Sequence, residues 1–586
     1  MAASISRRNF LIMSAKGAGA AVISYGLMGC GSSQESAIPV EFTHGVASGD
    51  PLADAVILWT RVTPAYAGDI TVSWEVASDE AFTQLVSNGQ MVTNASRDYT
   101  VKVDVIDLEA GSRYFYRFIS AGRQSPVGKT RTLVQGSPSS VKLAVMSCSN
   151  YPAGYFNVYD LAAQHQDLDA VLHLGDYIYE YPRGGYASAN AEQIDRQVLP
   201  IGELFTLSDY RTRYAQYHTD LSLQKLHAQV PFICVWDDHE VANDTWREGA
   251  ENHNDGEGDF EERKLGALQA YFEWLPIRPW NEGNYQEIYR SFSFGDLVDL
   301  HMLDTRVLAR DKQLDYADYF DAATGNLDQT TLTSDLSDPT RTMIGSEQLQ
   351  WLQDSVSASG ARWQVLGQQV LMGKMHLPAA IVLGLMSVES YASLGALAQL
   401  AARANAGDPS LTADELSYLA ANADKLTTEV LAQLQLPNIP YNLDAWDGYA
   451  DEREAILQLF KQQSKNLVVL AGDTHNAWAN DLSDASSAVV GVEFATSSVS
   501  SPGLEEYLAI DEAAVPNVEA GLVSLIDGLK YMNVNNRGFL TVTFSQTSAS
   551  ADWYFVDTIL STHYQPLTAR QMRATTTAGQ AGLTMS

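Results

Sequence analysis

The chain has 586 residues, 46% of them hydrophobic, which excludes a largely disordered polypeptide and leaves length for one to three domains. Its 37 basic residues stand against 71 acidic ones, a formal charge of −34. Such a surface argues against nucleic-acid binding and repels anionic substrates at long range, so a site that handles an anion must make its own positive field, as metal ions do.

The first thirty residues read as a targeting segment rather than as fold. Ser6-Arg7-Arg8-Asn9-Phe10-Leu11 is a twin-arginine signal, followed by the apolar stretch Gly17 to Met28. It makes the twin-arginine translocase the expected export partner, and the periplasm or the extracellular side the expected location. Leu27-Met28-Gly29-Cys30 resembles a lipobox, which would lipidate Cys30 and anchor the protein to a membrane. Met28 is unusual at its position, and ordinary signal-peptidase cleavage is the alternative. No other stretch is long and apolar enough to span a bilayer.

Residues 42–133 hold four β-rich, partly alternating runs: Ala55–Arg61, Ile70–Val76, Tyr99–Val105 and Arg113–Phe118. No helical stretch interrupts them. The pattern is self-contained, so a small all-β sandwich is expected, with Gly136–Ser140 as linker.

From Val141 onward strands alternate with helical stretches, which is an α/β pattern. Five short apolar runs end in residues able to bind metals. Val141–Met146 leads into Ser147-Cys148-Ser149-Asn150. Ala170–Leu174 leads into Gly175-Asp176-Tyr177-Ile178-Tyr179-Glu180. Val230–Trp236 leads into Asp237-Asp238-His239-Glu240 and Asn243. Leu297–Leu303 leads into Asp304-Thr305-Arg306. Asn466–Ala471 leads into Gly472-Asp473-Thr474-His475. Open α/β sheets place their sites outside the carboxyl ends of the strands, so these five turns are expected to converge. Carboxylates suit hard cations, while a phenolate such as Tyr179 and a thiolate such as Cys148 suit iron. If the Asp473–His475 loop is extended, those two side chains point to one side. Cys234, mid-strand, reads as a buried apolar residue with no disulfide.

Tyr210–Tyr217 reads as a helix whose Arg211 and Arg213 are candidates for clamping a phosphate, with a solvated helix face as the alternative; Arg306 is a third candidate. Tyr316 to about Asp338 reads as a surface loop. Residues 378–434 read as a helical insertion, either a lid over the site or extra surface packing. Gly538–Phe544 and Ala551–Val556 read as a terminal hairpin that completes the sheet.

The stretches Gly175–Glu180, Trp236–Asp244 and Ala471–Asp481, in this order, resemble those of the metallophosphoesterase fold, and among its members those of PhoD-type alkaline phosphatases. The resemblance runs from about residue 42 to 560. It implies a two-layered β-sheet sandwich flanked by helices over 141–560, preceded by the family's N-terminal β-sandwich. It implies Fe3+ held by Cys148, Asp176 and Tyr179 with Asp473, His475 or both, and Ca2+ beside it, with Asp176 bridging and Asn243 completing the calcium site. Asp238 stands where related phosphoesterases have a ligand asparagine. His239 is either a group behind the ligands or an acid. The implied activity is hydrolysis of phosphate esters by in-line attack of a metal-activated hydroxide. Two other readings fit the same residues: an exported phosphodiesterase or phospholipase D-like hydrolase, and a non-catalytic surface-anchored binding lipoprotein. The completeness of the ligand set argues against the second.

Overall fold

A computed structural model describes residues 37–279, 283–320 and 327–586. The twin-arginine segment and Cys30 lie outside the described residues. Among those residues no helix is long and apolar enough to cross a membrane.

Two sheets form the frame. The first contains β1 (Val46–Gly49), β2 (Val56–Arg61), β3 (Thr100–Val105), β4 (Ser140–Met146), β5 (Ala170–His173) and β6 (Phe232–Cys234). The second contains β7 (Arg290–Phe294), β8 (Val298–Met302), β9 (Trp363–Gly367), β10 (Asn466–Ala471), β11 (Ala477–Ser483), β12 (Val489–Ala495) and β13 (Leu529–Asn533). The last four strands, β14 (Gly538–Ser545), β15 (Ser548–Phe555), β16 (Met572–Thr577) and β17 (Leu583–Met585), return to the first sheet. Its order is β17-β16-β15-β14-β4-β5-β6-β1-β2-β3, and that of the second is β7-β8-β9-β10-β12-β11-β13.

The heart of each sheet is parallel. In the first, β4, β5 and β6 run side by side, with Met146 level with His173 and His173 level with Cys234. In the second, Met302, Gly367 and Leu470 are level on β8, β9 and β10. These strands are mostly apolar and buried because both of their faces are largely covered. The sheets pack on each other through large aromatics. The Trp553 indole donates to the Ala495 carbonyl at 2.9 Å and the Trp363 indole to that of Ser545 at 2.7 Å. Helices cover the outer faces. Gly345–Ala358 and Ala450–Gln462 bury Leu352, Val356, Ile456 and Phe460 against the second sheet. The two-layered sandwich with outer helices is thus as expected.

The N-terminal region is all-β, but its hydrogen bonding is not self-contained. Strands Ile70–Ala77, Leu85–Thr93, Arg113–Ser120 and Gly128–Arg131 form a separate sheet, whereas β1, β2 and β3 extend the large one. The join is the parallel pairing of Gly49 with Phe232. It leaves β1 space only for glycine, since a Cβ there would lie 2.4 Å from the Pro276 carbonyl oxygen and 2.6 Å from that of Phe232. The expected loop 316–338 contains a helix, Gln329–Leu336, because Asp328 caps its first N–H groups and Leu332 is buried. The terminal hairpin is present as β14 and β15, and β16 and β17 carry the sheet on past residue 560. The insertion is helical as expected. It sits between the paired strands His376–Pro378 and Asn438–Pro440, and its long helix Val388–Asn405 lies against Val515–Leu525.

Behind the first sheet lies a buried polar chain. The Tyr159 hydroxyl is 2.9 Å from His173 Nε2, and that of Tyr177 is 2.8 Å from His227 Nε2 and 3.1 Å from His218 Nε2. Burial pulls His173 and His227 down to about 3, and burial with nearby Arg61 does the same to His44. In the unfolded chain these rings titrate near 6.5, so the unfolded state takes up protons first as pH falls. Their contribution is flat above about 6.5 and is lost between there and 3. Denaturation midpoints are expected to fall steeply between pH 6.5 and 4, by a few kcal/mol per histidine. His227→Gln should make that dependence shallower; an unchanged slope would remove this histidine from the account.

Candidate metal centre

The parallel strands deliver all five of the expected turns to one edge. The turns stay paired beyond the strands: Cys148 N–H donates to the Gly175 carbonyl at 3.1 Å and Ser149 N–H to that of Asp176 at 2.8 Å. The two sheets meet where Val499 N–H donates to the Ser147 carbonyl at 3.0 Å. Two glycines permit the approach. A Cβ on Gly175, whose φ is +107°, would lie 2.3 Å from Asp237 Cβ and 2.4 Å from Asp237 N. One on Gly472 would lie 2.6 Å from Ser147 Oγ.

Two donor groups form at this edge. Cys148, Asp176 and His475 make one; Asp176, Asp238 and His239 make the other. Within each, the ligand atoms lie within 4.8 Å of one another, and every member is buried. Asp176 belongs to both. Tyr179 joins the first group: its hydroxyl donates to Asp176 Oδ2 at 3.0 Å, accepts from Ser501 Oγ at 2.6 Å, and lies 3.3 Å from His475 Nε2. His475 Nδ1 is 2.6 Å from the Pro502 carbonyl, which only accepts, so the proton sits on Nδ1 and Nε2 presents its lone pair to the cluster.

Strained backbone aims these side chains. Cys148, Asp176, Asp473 and His475 all have left-handed φ, at 62°, 52°, 63° and 63°. Such a conformation costs a non-glycine residue about 1–2 kcal/mol and collects at functional sites. Glu240 supplies part of the restraint. Its carboxylate accepts from Asp176 N at 3.0 Å, from Asp237 N at 2.7 Å and from Tyr177 N, binding the turns after β5 and β6 together. Arg213, wholly buried, donates to the carbonyls of Leu199, Tyr179 and Tyr181, which fixes the exit of the Tyr179 turn.

The centre is crowded with buried acid. Burial pushes the Cys148 thiol well up, and Asp176 adds to it; burial and Asp176 do the same to the Tyr179 phenol. Burial and the neighbouring Asp237 push Asp473 well above the carboxylate range. Burial would lower His239, but Asp238, Glu180 and Asp176 outweigh it and hold the ring well above its ordinary value. Asp176 Oδ1 and Asp237 Oδ2 are buried with no hydrogen-bond partner among the described residues. A thiol, a phenol, an imidazole nitrogen with its lone pair forward and unpartnered carboxylate oxygens are a donor set that fits cations.

The expected residues divide as follows. Cys148, Asp176, Tyr179, Asp238, His239 and His475 converge. Asp473 Oδ1 is 3.3 Å from Arg306 Nη2, and its backbone carbonyl is 3.9 Å from Cys148 Sγ. The extended-loop argument for Asp473 and His475 fails, because both are left-handed and they turn to different partners. Asn243 is adjacent: its N–H donates to Glu180 Oε1 at 2.9 Å and its side-chain amide to Glu251 at 3.1 Å. Arg306 is fully buried among Asp237, Asp444, Asp473 and Asp238, so it holds carboxylates rather than a substrate. Arg211 is neither a clamp nor a solvated residue; Glu273 grips it at 2.6 and 2.7 Å and it donates to the Ser96 carbonyl. Cys148 and Cys234 are free thiols.

Three contributors escape the sequence reading. Glu180 accepts from His239 Nδ1 at 2.7 Å and from the Asn252 amide at 2.7 Å. Asp444 joins Arg306 to Arg310. The polar run Thr496–Pro502 follows apolar β12 just as the other turns follow their strands, and that signal was present in the sequence.

Residues 143–553 match the model of the PhoD-like phosphatase family, and residues 29–134 match that of the PhoD-like phosphatase N-terminal domain. Alkaline phosphatase D of Bacillus subtilis (strain 168) is 34% identical over 479 residues, which span 79% of this chain and 70% of that protein. The solved structure of PhoD superposes with a TM-score of 0.72 at 29% identity, over 94% of this chain and 93% of that one.

Gly175→Ala tests the close approach of the turns. The clash is with backbone, so it cannot be relieved by a rotamer, and the variant is expected to lose about 3 kcal/mol of stability or more. Denaturant midpoints measure this, and metal content should fall with it.

Proposed function

The chain belongs to the PhoD-like phosphatase family, and from that premise we propose that it is an alkaline phosphatase acting on phosphate esters through an iron(III)–calcium pair. The observation that carries the reading is the sharing of Asp176 by two donor groups of different character. The Cys148 thiolate, the Tyr179 phenolate and His475 Nε2 suit iron. Asp238 of the second group, with Asn243 alongside, offers oxygen of the kind calcium takes. Asp176 would bridge the two.

When bound, the two ions would place positive charge against the phosphoryl oxygens and acidify the attacking water. The chain's own residues do the rest. His475 is held by the Pro502 carbonyl with Nε2 forward, and Tyr179 is oriented by Ser501. His239 gives its Nδ1 proton to Glu180, and its other nitrogen, when protonated, is the acid for the leaving oxygen in this reading. Arg306 and Arg310 hold the carboxylates of Asp237, Asp444 and Asp473 together against their mutual repulsion. Ser147 and Ser149 bond within the turn, Ser149 Oγ to the Tyr177 carbonyl at 2.8 Å, and provide no nucleophile.

We also propose that the enzyme works outside the cytoplasm, as the Arg7-Arg8 signal and Cys30 suggest; the mature N-terminus and its lipid content test this. Rates on an aryl phosphate monoester and the matching diester, at alkaline pH with calcium, test the activity. A faster diester rate would move the assignment to phosphodiesterase.

Two variants test the roles. Asp176→Ala is expected to lose both metals and to drop below about 1% of wild-type turnover; metal analysis showing full occupancy would contradict the bridge. His239→Asn is expected to lower kcat about a hundredfold or more with iron retained. Loss of metal in that variant would make His239 a ligand instead of an acid.

A further inference from the structure

Two tyrosines stand at the mouth of the centre and have no part in the chemistry above. The Tyr186 ring lies nearly parallel to that of Tyr179, with centroids 5.9 Å apart, and 6.5 Å from that of His475. Its hydroxyl is 2.6 Å from the Tyr507 hydroxyl and 3.5 Å from His475 Nδ1. His475 already gives its Nδ1 proton to Pro502, so the bond between the two phenols is the substantial one.

Tyr507 comes from the far end of the chain and is held there by the fold. It ends the short helix Leu504–Tyr507, two residues after Glu505, whose carboxylate is fixed by Arg537 at 2.6 Å. Arg537 precedes β14. That strand lies antiparallel to β4 with Leu540 level with Val145, which brings its start to the edge where Cys148 stands. The Tyr507 hydroxyl is thus tied at the site, yet the residue is 59% exposed. Tyr179 is buried with its ring against those of Tyr186 and His239, whereas more than half of the Tyr507 surface is open.

We propose that Tyr507 is a stacking platform for the alcohol part of the substrate, so that the site favours phosphate monoesters of flat alcohols, aryl or nucleoside, over those of small polyols. This rests on the phosphatase reading. A phosphoryl group held at the metal centre lies beside Tyr186, whose hydroxyl is 2.6 Å from that of Tyr507, so on this reading its alcohol part extends toward the Tyr507 ring. A tyrosine already tethered by its hydroxyl loses little freedom when a ring settles on it. Stacking also asks for no charge, which suits a chain whose net charge of −34 repels anions.

The test compares adenosine 5′-monophosphate with glycerol 1-phosphate, two primary-alcohol esters of matched reactivity, on the metal-loaded enzyme. Tyr507→Ala is expected to lower the ratio of kcat/KM for the nucleotide over the glycerol ester about tenfold, mainly through KM, as loss of one base–aromatic stack does. Tyr507→Phe should keep most of the ratio, because the platform remains. An unchanged ratio in Tyr507→Ala overturns the proposal. If wild type hydrolyses neither ester, the phosphatase reading fails on its own, and calorimetric affinity for the nucleotide decides the platform: weaker binding to Tyr507→Ala supports it, and equal binding overturns it. Iron content and thermal midpoint report whether each variant is folded.

Discussion

The structure turns on one electrostatic constraint: several acidic and soft donors are buried against each other at a single sheet edge. Asp176, Asp237, Asp238, Asp444 and Asp473 share a space from which water is largely excluded. Unpaired charges there would be intolerable without compensation. Arg306 and Arg310 supply part of it. The oxygens of Asp176 and Asp237 that have no partner among the described residues show where compensation by protein groups stops, which is why a cation fits this place.

Geometry is the second half of that constraint. Within each sheet the parallel strands β4-β5-β6 and β8-β9-β10 end level with one another, and their turns meet across the sandwich. Bringing the turns together requires left-handed φ at Cys148, Asp176, Asp473 and His475, and glycines at 175 and 472. A backbone bent in this way needs restraint, and Glu240 and Arg213 provide it through backbone hydrogen bonds. Their polar groups stabilise the turns and touch none of the chemistry. Strain of this kind is held by the surrounding sheet, which links the stability of the sandwich to the precision of the centre.

The arginines show how position overrides residue type. Three seemed fit to hold a phosphate. Arg211 instead binds Glu273 and the Ser96 carbonyl, Arg213 braces the Tyr179 turn, and Arg306 is neutralised by aspartates. An anionic substrate is therefore met at the mouth by tyrosines rather than by a free guanidinium, in a protein whose overall charge opposes its approach.

The sequence by itself determined the α/β class, the strand-then-turn signature of the centre, and the chemical character of Cys148, Asp176, Tyr179, Asp238 and His475. These are local properties: a short apolar run ended by glycine and polar residues reads as a strand and turn wherever it sits. The converging group was legible for the same reason, since parallel strands place their carboxyl ends together. Other features depended on partners distant in the chain. The pairing of Gly49 with Phe232, which draws N-terminal strands into the main sheet, has no signal in either segment alone. The helix Gln329–Leu336 needed a core for Leu332. The divergence of Asp473 and His475 arises from left-handed φ that the surrounding contacts impose, and the meeting of Tyr186 with Tyr507 joins residues 321 apart. Only the tertiary structure decided these, because side-chain partners and strained dihedrals are set by packing between segments and not by the order of residues within them.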